Sequence, residues 1–150
     1  MANSHQNIHR IIEATNPSQG DIAMIFGSDE DSLQILEEAK KRDLTCIYCS
    51  DRTDLLQSAQ KTADQVVEYS EHVYARLTEY AETERPNIMI DLSGKPEFLT
   101  NAVKIISPAG RIVLACPKCQ RATFQMRVVS HKELDIVGLP FTEDSIAEKN

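Results

Sequence analysis

Two pairs of cysteines have a spacing that could bind a metal ion or support thiol chemistry. Cys46 and Cys49 form one Cys-x-x-Cys pair, and Cys116 and Cys119 form the other. Together they could supply four thiolates to a zinc ion, but 66 residues separate the pairs, positions 50 to 115. Compact zinc modules place their two pairs only about 15–20 residues apart. The spacing therefore argues against a zinc site.

The direction of a predicted strand gives a second argument against a metal. Cys46 and Cys49 lie on one strand, where residues three positions apart face opposite sides of the sheet and cannot bind the same ion. We expect no metal site, and thiols that are reduced and not bridged. For Cys116 and Cys119 two roles stay open: a redox pair in which Lys118 lowers a thiol pKa, or small hydrophobic residues of the core.

The four histidines do not indicate hydrolytic or acyl-transfer chemistry. They stand at positions 5, 9, 72 and 131, and none is paired with a candidate nucleophile at a recognisable spacing. We expect ordinary surface histidines, and the sequence predicts no catalytic residue.

Composition and charge restrict the possible partners. The 150-residue chain is 41% hydrophobic and 26% charged, as is typical of a single globular domain, and its formal net charge is −7. An acidic chain is a poor general partner for nucleic acid or for a membrane surface. The apolar runs are strand-sized and no secretion signal is visible, so we expect a cytoplasmic protein.

One segment is basic. Residues 111–132 include five Lys or Arg and no Asp or Glu. This segment is either the solvated surface of two connections or a local site for an anion.

Helices and strands alternate along the chain. Helices are predicted over 7–15, 32–41, 53–63, 72–83 and from Pro96, and strands over 21–26, 44–49, 65–69, 87–92, 111–116 and 134–139. The strands are continuously apolar, which is typical of a parallel sheet covered by helices on both faces. Right-handed crossovers then favour a doubly wound α/β fold: a parallel six-stranded sheet in a Rossmann-like, three-layer α/β/α arrangement over 7–140. We expect 1–6 to be flexible and 141–150 to be a polar tail.

The turn after the first strand has the position of a phosphate-binding loop. In doubly wound dinucleotide folds this turn carries Gly-x-Gly-x-x-Gly and places a pyrophosphate at the helix N-terminus. Here Gly27 is followed by Asp29 and Ser32 at the second and third glycine positions. A Cβ intrudes at both positions, so we expect pyrophosphate binding to be weak or lost.

Charge strengthens this expectation. Asp29, Glu30 and Asp31 place three carboxylates at the turn. Each carboxylate within about 4 Å of a phosphate costs on the order of 1 kcal/mol in water. The acids are interpreted as caps that complement the helix dipole. The alternative is a shifted binding pose that is supported by Arg52 or by the basic segment.

Asp51 ends the second strand, roughly 20 residues beyond Gly27, where a carboxylate that binds an adenosine ribose is expected. It is equally interpreted as a solvated residue or as a cap for the helix that begins at Thr53. With a nucleotide bound, Asp51 would repel a 2′-phosphate and favour NAD, and Arg52 beside it weakens that preference.

Further segments complete a resemblance to a known family. They are Gly20-Asp-Ile-Ala-Met-Ile, Asp91-Leu-Ser-Gly94, Ala102-Val-Lys-Ile-Ile-Ser-Pro-Ala-Gly110-Arg-Ile-Val and His131-Lys-Glu-Leu-Asp-Ile-Val-Gly138. In this order the chain resembles, over 7–139, the coenzyme-binding domain of the medium-chain dehydrogenase/reductase family, the alcohol dehydrogenase-like proteins. The resemblance implies NAD contacts at Gly27, Ser28, Asp51, Arg52, Ser93, Gly94, Cys116 and Pro117.

The resemblance also implies what this chain would need from elsewhere. The family wraps this domain in a separate catalytic domain that supplies substrate contacts and often zinc ligands. We therefore expect no hydride transfer by this chain alone. Two functions stay open: a non-catalytic module that lost the coenzyme, or the NAD-binding part of an oxidoreductase whose catalytic half lies elsewhere, on a separate partner.

The last predicted strand, 134–139, would lie at an open edge of the sheet. It is apolar apart from Asp135, and no following helix is predicted to cover it. Such edges are usually charged, shortened or paired. Because in the resembling family this edge often meets its own copy across a two-fold axis, we expect a homodimer through 134–139.

Overall fold

A computed structural model describes residues 2–82, 84–116 and 121–139, and only the backbone of 2–6, 80 and 81. Within these ranges six strands form one parallel sheet in the order β3-β2-β1-β4-β5-β6. The strands are β1 (Ile22–Gly27), β2 (Thr45–Ser50), β3 (Gln65–Glu68), β4 (Ile88–Asp91), β5 (Arg111–Leu114) and β6 (Asp135–Gly138). The predicted doubly wound α/β fold is confirmed.

Six described helices connect and cover the strands. They are α1 (Ala2–Ala14), α2 (Asp31–Lys41), α3 (Thr53–Ala59), α4 (Val73–Ala81), α5 (Glu97–Ile105) and α6 (Met126–Lys132). None of them is long and apolar enough to cross a membrane.

Two apolar layers hold the helices against the sheet. Residues of α1, α2 and α3, such as Ile12 and Ile35, pack with Ile25 on one face. Residues of α4 and α5, such as Phe98, pack with Met24 on the other face. Consecutive residues of β1 therefore enter different layers, which explains why the strand is apolar throughout.

Several helices differ from the sequence prediction. Helix α3 ends at Ala59 rather than at residue 63, and α4 runs from Val73 to Ala81 rather than over 72–83. The first helix begins at Ala2 rather than at residue 7, and the flexibility of 1–6 stays a prediction. Helix α6 was not predicted at all, because it has only seven residues, none of them fully buried, within a basic segment. Val128 and Val129 pack partly against the core. The predicted polar tail, 141–150, lies outside the described residues.

Candidate functional site

The candidate site lies at the carboxyl ends of the strands. After β1 the chain crosses to β2 on one side, and after β3 it returns to β4 on the other side of β1. In open α/β sheets, ligands bind in the crevice at this reversal of strand order. The loops after β1, β2 and β4 form its walls, and they contain most of the predicted site residues.

Gly27 allows α2 to pack closely on β1. A Cβ at this position would lie 2.2 Å from Ser32 Oγ and 2.6 Å from the Tyr48 hydroxyl. Ser32 is fully buried, and its hydroxyl donates to the Asp29 carbonyl at 2.6 Å. The Ser32 and Tyr48 hydroxyl oxygens are 2.6 Å apart. Ser32, at the third glycine position of the loop, is thus accommodated by Gly27 and by a hydrogen bond to Tyr48.

The three acidic residues after Gly27 organise the start of α2. The Asp31 N–H donates to Asp29 Oδ1 at 3.1 Å, whereas Glu30, which precedes the helix, makes no side-chain cap. Burial, and after it the negative charge of Asp29, raises the pKa of the Asp31 carboxyl. The sequence interpretation of all three acids as caps therefore holds for Asp29 and not for Glu30, while all three carboxylates lie at the electropositive end of the helix.

Arg52 provides the cation nearest to these acids. The three carboxylates and Arg52 line an open depression of about 330 Å³. However, Arg52 donates to both carboxylate oxygens of Asp54, at 3.1 and 2.5 Å, and lowers the pKa of that carboxyl. Its Nη1 lies 3.5 Å from the Ser28 carbonyl. Because Arg52 is paired with Asp54 and faces three acids, these residues do not fit a pyrophosphate in this arrangement.

Asp51 is paired across the crevice. Its Oδ2 lies 3.1 Å from the Nζ of Lys95, which comes from the loop after β4. The same ammonium lies 4.6 Å from the centre of the Tyr69 ring, just beyond β3. Sequence reasoning assigned no role to Lys95 or Tyr69, since distant segments bring them to Asp51.

Ser93 and Gly94 fold around a buried carboxyl group. Asp91 is 4% exposed, and its Oδ1 accepts hydrogen bonds from the Ser93 N–H (2.8 Å), the Ser93 hydroxyl (2.6 Å) and the Gly94 N–H (3.2 Å). Burial raises the pKa of Asp91, and these hydrogen bonds oppose the rise. Gly94 adopts φ +71°, which the turn requires and which favours glycine. Ser93 and Gly94 therefore form the turn around Asp91. The contact of these two residues with a cofactor stays a prediction.

A cavity of about 210 Å³ opens beside this turn, between the ends of β4 and β5. Cys116 lines it, together with Asp91, Lys95, Phe98, Leu114 and Arg121. Cys116 and Arg121 each interact with another group of the protein, so neither side chain is without a partner. Pro117, Lys118 and Cys119 lie outside the described residues, so the second Cys-x-x-Cys pair stays a prediction.

The first cysteine pair confirms the argument from strand direction. Cys46 belongs to the apolar layer of α1–α3, and Cys49 belongs to the opposite layer. Burial raises the pKa of each thiol to about 12. Strands β2 and β5 are separated by β1 and β4. Cys46 and Cys49 therefore do not fit one zinc ion, and among the described residues no group of three or more His, Cys, Asp or Glu could hold a metal ion.

The strand order, the crevice and the acidic residue at the end of β2 define a Rossmann-type fold of the dinucleotide-binding class. Within this class, the family model described as zinc-binding dehydrogenase matches residues 32–149. The chain belongs to that family, and the resemblance found in the sequence is confirmed. No curated protein sequence matches the chain.

Solved alcohol dehydrogenase structures share the fold. A short chain alcohol dehydrogenase from Escherichia coli CFT073, solved with NADH, superposes with a TM-score of 0.84 at 20% identity, over 98% of this chain and 44% of that one. The 2R,3R-butanediol dehydrogenase of Bacillus subtilis superposes with a TM-score of 0.79 at 19% identity, over 97% of this chain and 42% of that one. Benzyl alcohol dehydrogenase from Acinetobacter calcoaceticus superposes with a TM-score of 0.80 at 19% identity, over 93% of this chain and 40% of that one. The chain spans less than half the length of each.

Proposed function

We propose that this chain is a Rossmann-type domain that is non-catalytic alone and binds NAD weakly or not at all. The observation that carries the proposal is the loop after β1. There, Asp29 accepts a hydrogen bond from the first N–H of α2, with Glu30 and Asp31 beside it. The protein's own carboxylates thus take the position in which the fold places a pyrophosphate.

Electrostatics supports weak binding. A pyrophosphate at the start of α2 would meet three carboxylates and the paired guanidinium of Arg52. At about 4 Å each carboxylate opposes it by on the order of 1 kcal/mol in water, and by more when water is excluded. Three such interactions weaken binding by at least about a hundredfold.

A second function is supported by the family match and by the fold that the chain shares with whole dehydrogenases. The chain spans less than half of the dehydrogenases it resembles, one of which was solved with NADH. In this alternative, the chain is the NAD-binding part of an oxidoreductase whose catalytic domain lies elsewhere. Asp51, at the end of β2, favours this alternative, because the fold places a ribose-binding carboxylate there.

Calorimetric titration of the purified chain with NAD, NADH, NADP and NADPH tests the proposal. We expect dissociation constants in the high micromolar range or weaker for all four. A sub-micromolar constant for NADH would reject the proposal and favour the alternative. Adding each coenzyme to the chain with simple alcohols and aldehydes should give no change in NADH absorbance.

We also propose that the chain forms a homodimer through β6. Within the described residues β6 pairs only with β5, so its other edge is open. Asp135, the one charged residue of the strand, lies 2.9 Å from Arg111 of the same chain. That contact offsets the charge that would otherwise discourage edge pairing.

A further inference from the structure

A single lysine covers two groups of the crevice that could bind a nucleoside. The Lys95 ammonium is 3.1 Å from Asp51 Oδ2 and 4.6 Å from the ring centre of Tyr69. The ammonium takes Asp51 Oδ2, one of the two carboxylate oxygens to which ribose hydroxyls would donate. A purine base would need the same face of Tyr69, since bases stack on aromatic rings. Lys95 therefore contacts the two groups of this crevice that an adenosine could use, one for its ribose and one for its base.

The backbone beneath Lys95 is held on both sides. The Tyr69 hydroxyl donates to Glu97 in the first turn of α5. On the other side, the Lys95 N–H donates to Ser93 Oγ at 3.4 Å, and Ser93 is bound to Asp91. These contacts tie the loop to its neighbours, and the Lys95 side chain has several rotatable bonds. Rotation of this side chain alone would uncover Asp51 and Tyr69.

The contacts of Lys95 are weak enough to be exchanged. The Lys95 and Asp51 side chains are 29% and 42% exposed. Ion pairs with this exposure contribute little to stability, and a cation over the partly buried Tyr69 ring adds a modest amount. The side chain thus competes with a ligand without excluding it absolutely.

We propose that Lys95 closes an adenosine subsite formed by Asp51 and Tyr69, and that removing its side chain opens this subsite to adenosine nucleotides. The proposal rests on the weak dinucleotide binding proposed above and adds a second cause for it. The acidic loop opposes the pyrophosphate, whereas Lys95 contacts the groups that the nucleoside would use. The two causes involve different residues and can be separated.

Adenosine is the probe that separates them, because it has the ribose and the base but no phosphate to meet the acidic loop. Its affinity is measured by NMR titration of the wild type, Lys95→Ala and Lys95→Arg. We expect Lys95→Ala to bind adenosine about tenfold more tightly than the wild type. Lys95→Arg keeps the cation and should bind as the wild type does.

Lys40→Ala is a matched control. Lys40 pairs with Asp64 at 2.7 Å, with side-chain exposures of 30% and 46%, at a site outside the crevice. Its loss should leave the affinity for adenosine unchanged. In contrast, Asp51→Asn combined with Lys95→Ala should lose most of the gain, because the ribose acceptor is weakened.

Equal affinity of Lys95→Ala and the wild type, measurable or not, would overturn the proposal. A gain that persists in the Asp51→Asn double variant would overturn the assignment of Asp51. Circular dichroism confirms folding, and Lys95→Gln replaces the alanine variant if that variant unfolds. Tight NADH binding by the wild type would instead reject the proposed function, since that result does not depend on the comparison with adenosine.

Discussion

The hydroxyl groups of Ser32 and Tyr48 lie 2.6 Å apart, buried beneath the turn that joins β1 to α2. Ser32 stands where the family's loop has its third glycine, and the larger residue is accommodated from two sides. Gly27 supplies the space, and Tyr48 supplies a hydrogen-bonding partner for the added hydroxyl. The turn thus keeps close packing of helix and strand without the glycine.

Gly27→Ala should destabilise the fold. The new Cβ would lie 2.2 Å from Ser32 Oγ, so the buried hydroxyl pair has to move. Overpacking of this kind costs about 1–3 kcal/mol, measured as the free energy of unfolding in urea. Gly138→Ala is the control, because a Cβ there has no atom within 4 Å. Equal stability of the two variants would contradict the packing described for Gly27.

Asp29→Gly combined with Ser32→Gly should strengthen NADH binding. The double change removes one carboxylate from the loop and restores close approach of the backbone to a pyrophosphate. Affinity should rise by at least about fivefold, because one carboxylate near a phosphate opposes it by on the order of 1 kcal/mol or more. NADH fluorescence measures the change.

The same double variant should be less stable than the wild type. It loses the Ser32–Tyr48 hydrogen bond and places a glycine in α2, each worth about 1 kcal/mol. Ser32→Gly alone is the control, since it loses the same hydroxyl contact and adds the same glycine, but keeps the Asp29 carboxylate and its hydrogen bond to the start of α2. Unchanged NADH affinity in the double variant would exclude the loop as the cause of weak binding.

Stability should fall above pH 9 because of the two buried thiols. Burial raises the pKa of Cys46 and Cys49 from 9.0 to about 12, so the unfolded chain releases protons that the folded chain retains. Their contribution is fully present below pH 9 and is lost as pH rises toward 12, by up to about 1.4 kcal/mol per pH unit for each thiol. Urea unfolding at pH 8, 9 and 10 measures the slope of the free energy of unfolding against pH. Replacing both cysteines by alanine should make the slope shallower, and an unchanged slope would contradict the assignment.

Lys132→Met should destabilise the C-terminal end of α5. The Lys132 ammonium donates to the carbonyls of Val103, Lys104 and Ile106, at 2.9, 2.9 and 2.8 Å. These carbonyls end the helix, and a cation there satisfies them and complements the helix dipole. Hydrogen bonds to a charged group are worth about 1.5–3 kcal/mol, which sets the expected loss in unfolding free energy. Lys104→Met is the control: this lysine is exposed, and its replacement should lower the free energy of unfolding by less than about 0.5 kcal/mol.

The sequence predicted the strands well because each is a short, continuous apolar run between turn residues. It also placed Cys46 and Cys49 on opposite faces, since alternation along a strand follows from backbone geometry alone. It missed α6, whose valines are only partly buried and whose other residues are mainly polar. It missed Lys95, because the contact with Asp51 joins segments that the chain pattern does not connect. Tyr48 was predicted on a strand, but only the packing of α2 shows what its hydroxyl binds.

The last prediction concerns the open edge of β6. The N–H groups of Asp135 and Leu139 donate to the carbonyls of Gly110 and Leu114, toward β5. Because N–H groups alternate along a strand, the Ile136 N–H faces away from β5, toward the edge that no other strand of the described residues covers, where a second copy would pair. Ile136→Pro removes that donor and leaves the hydrogen bonds to β5 in place. Light scattering should therefore give a dimer mass for the wild type and a monomer mass for Ile136→Pro. Ile136→Val keeps the N–H and should stay dimeric. A wild-type chain that is monomeric at high micromolar concentration would refute the dimer, and a dimeric Ile136→Pro would place the interface away from β6.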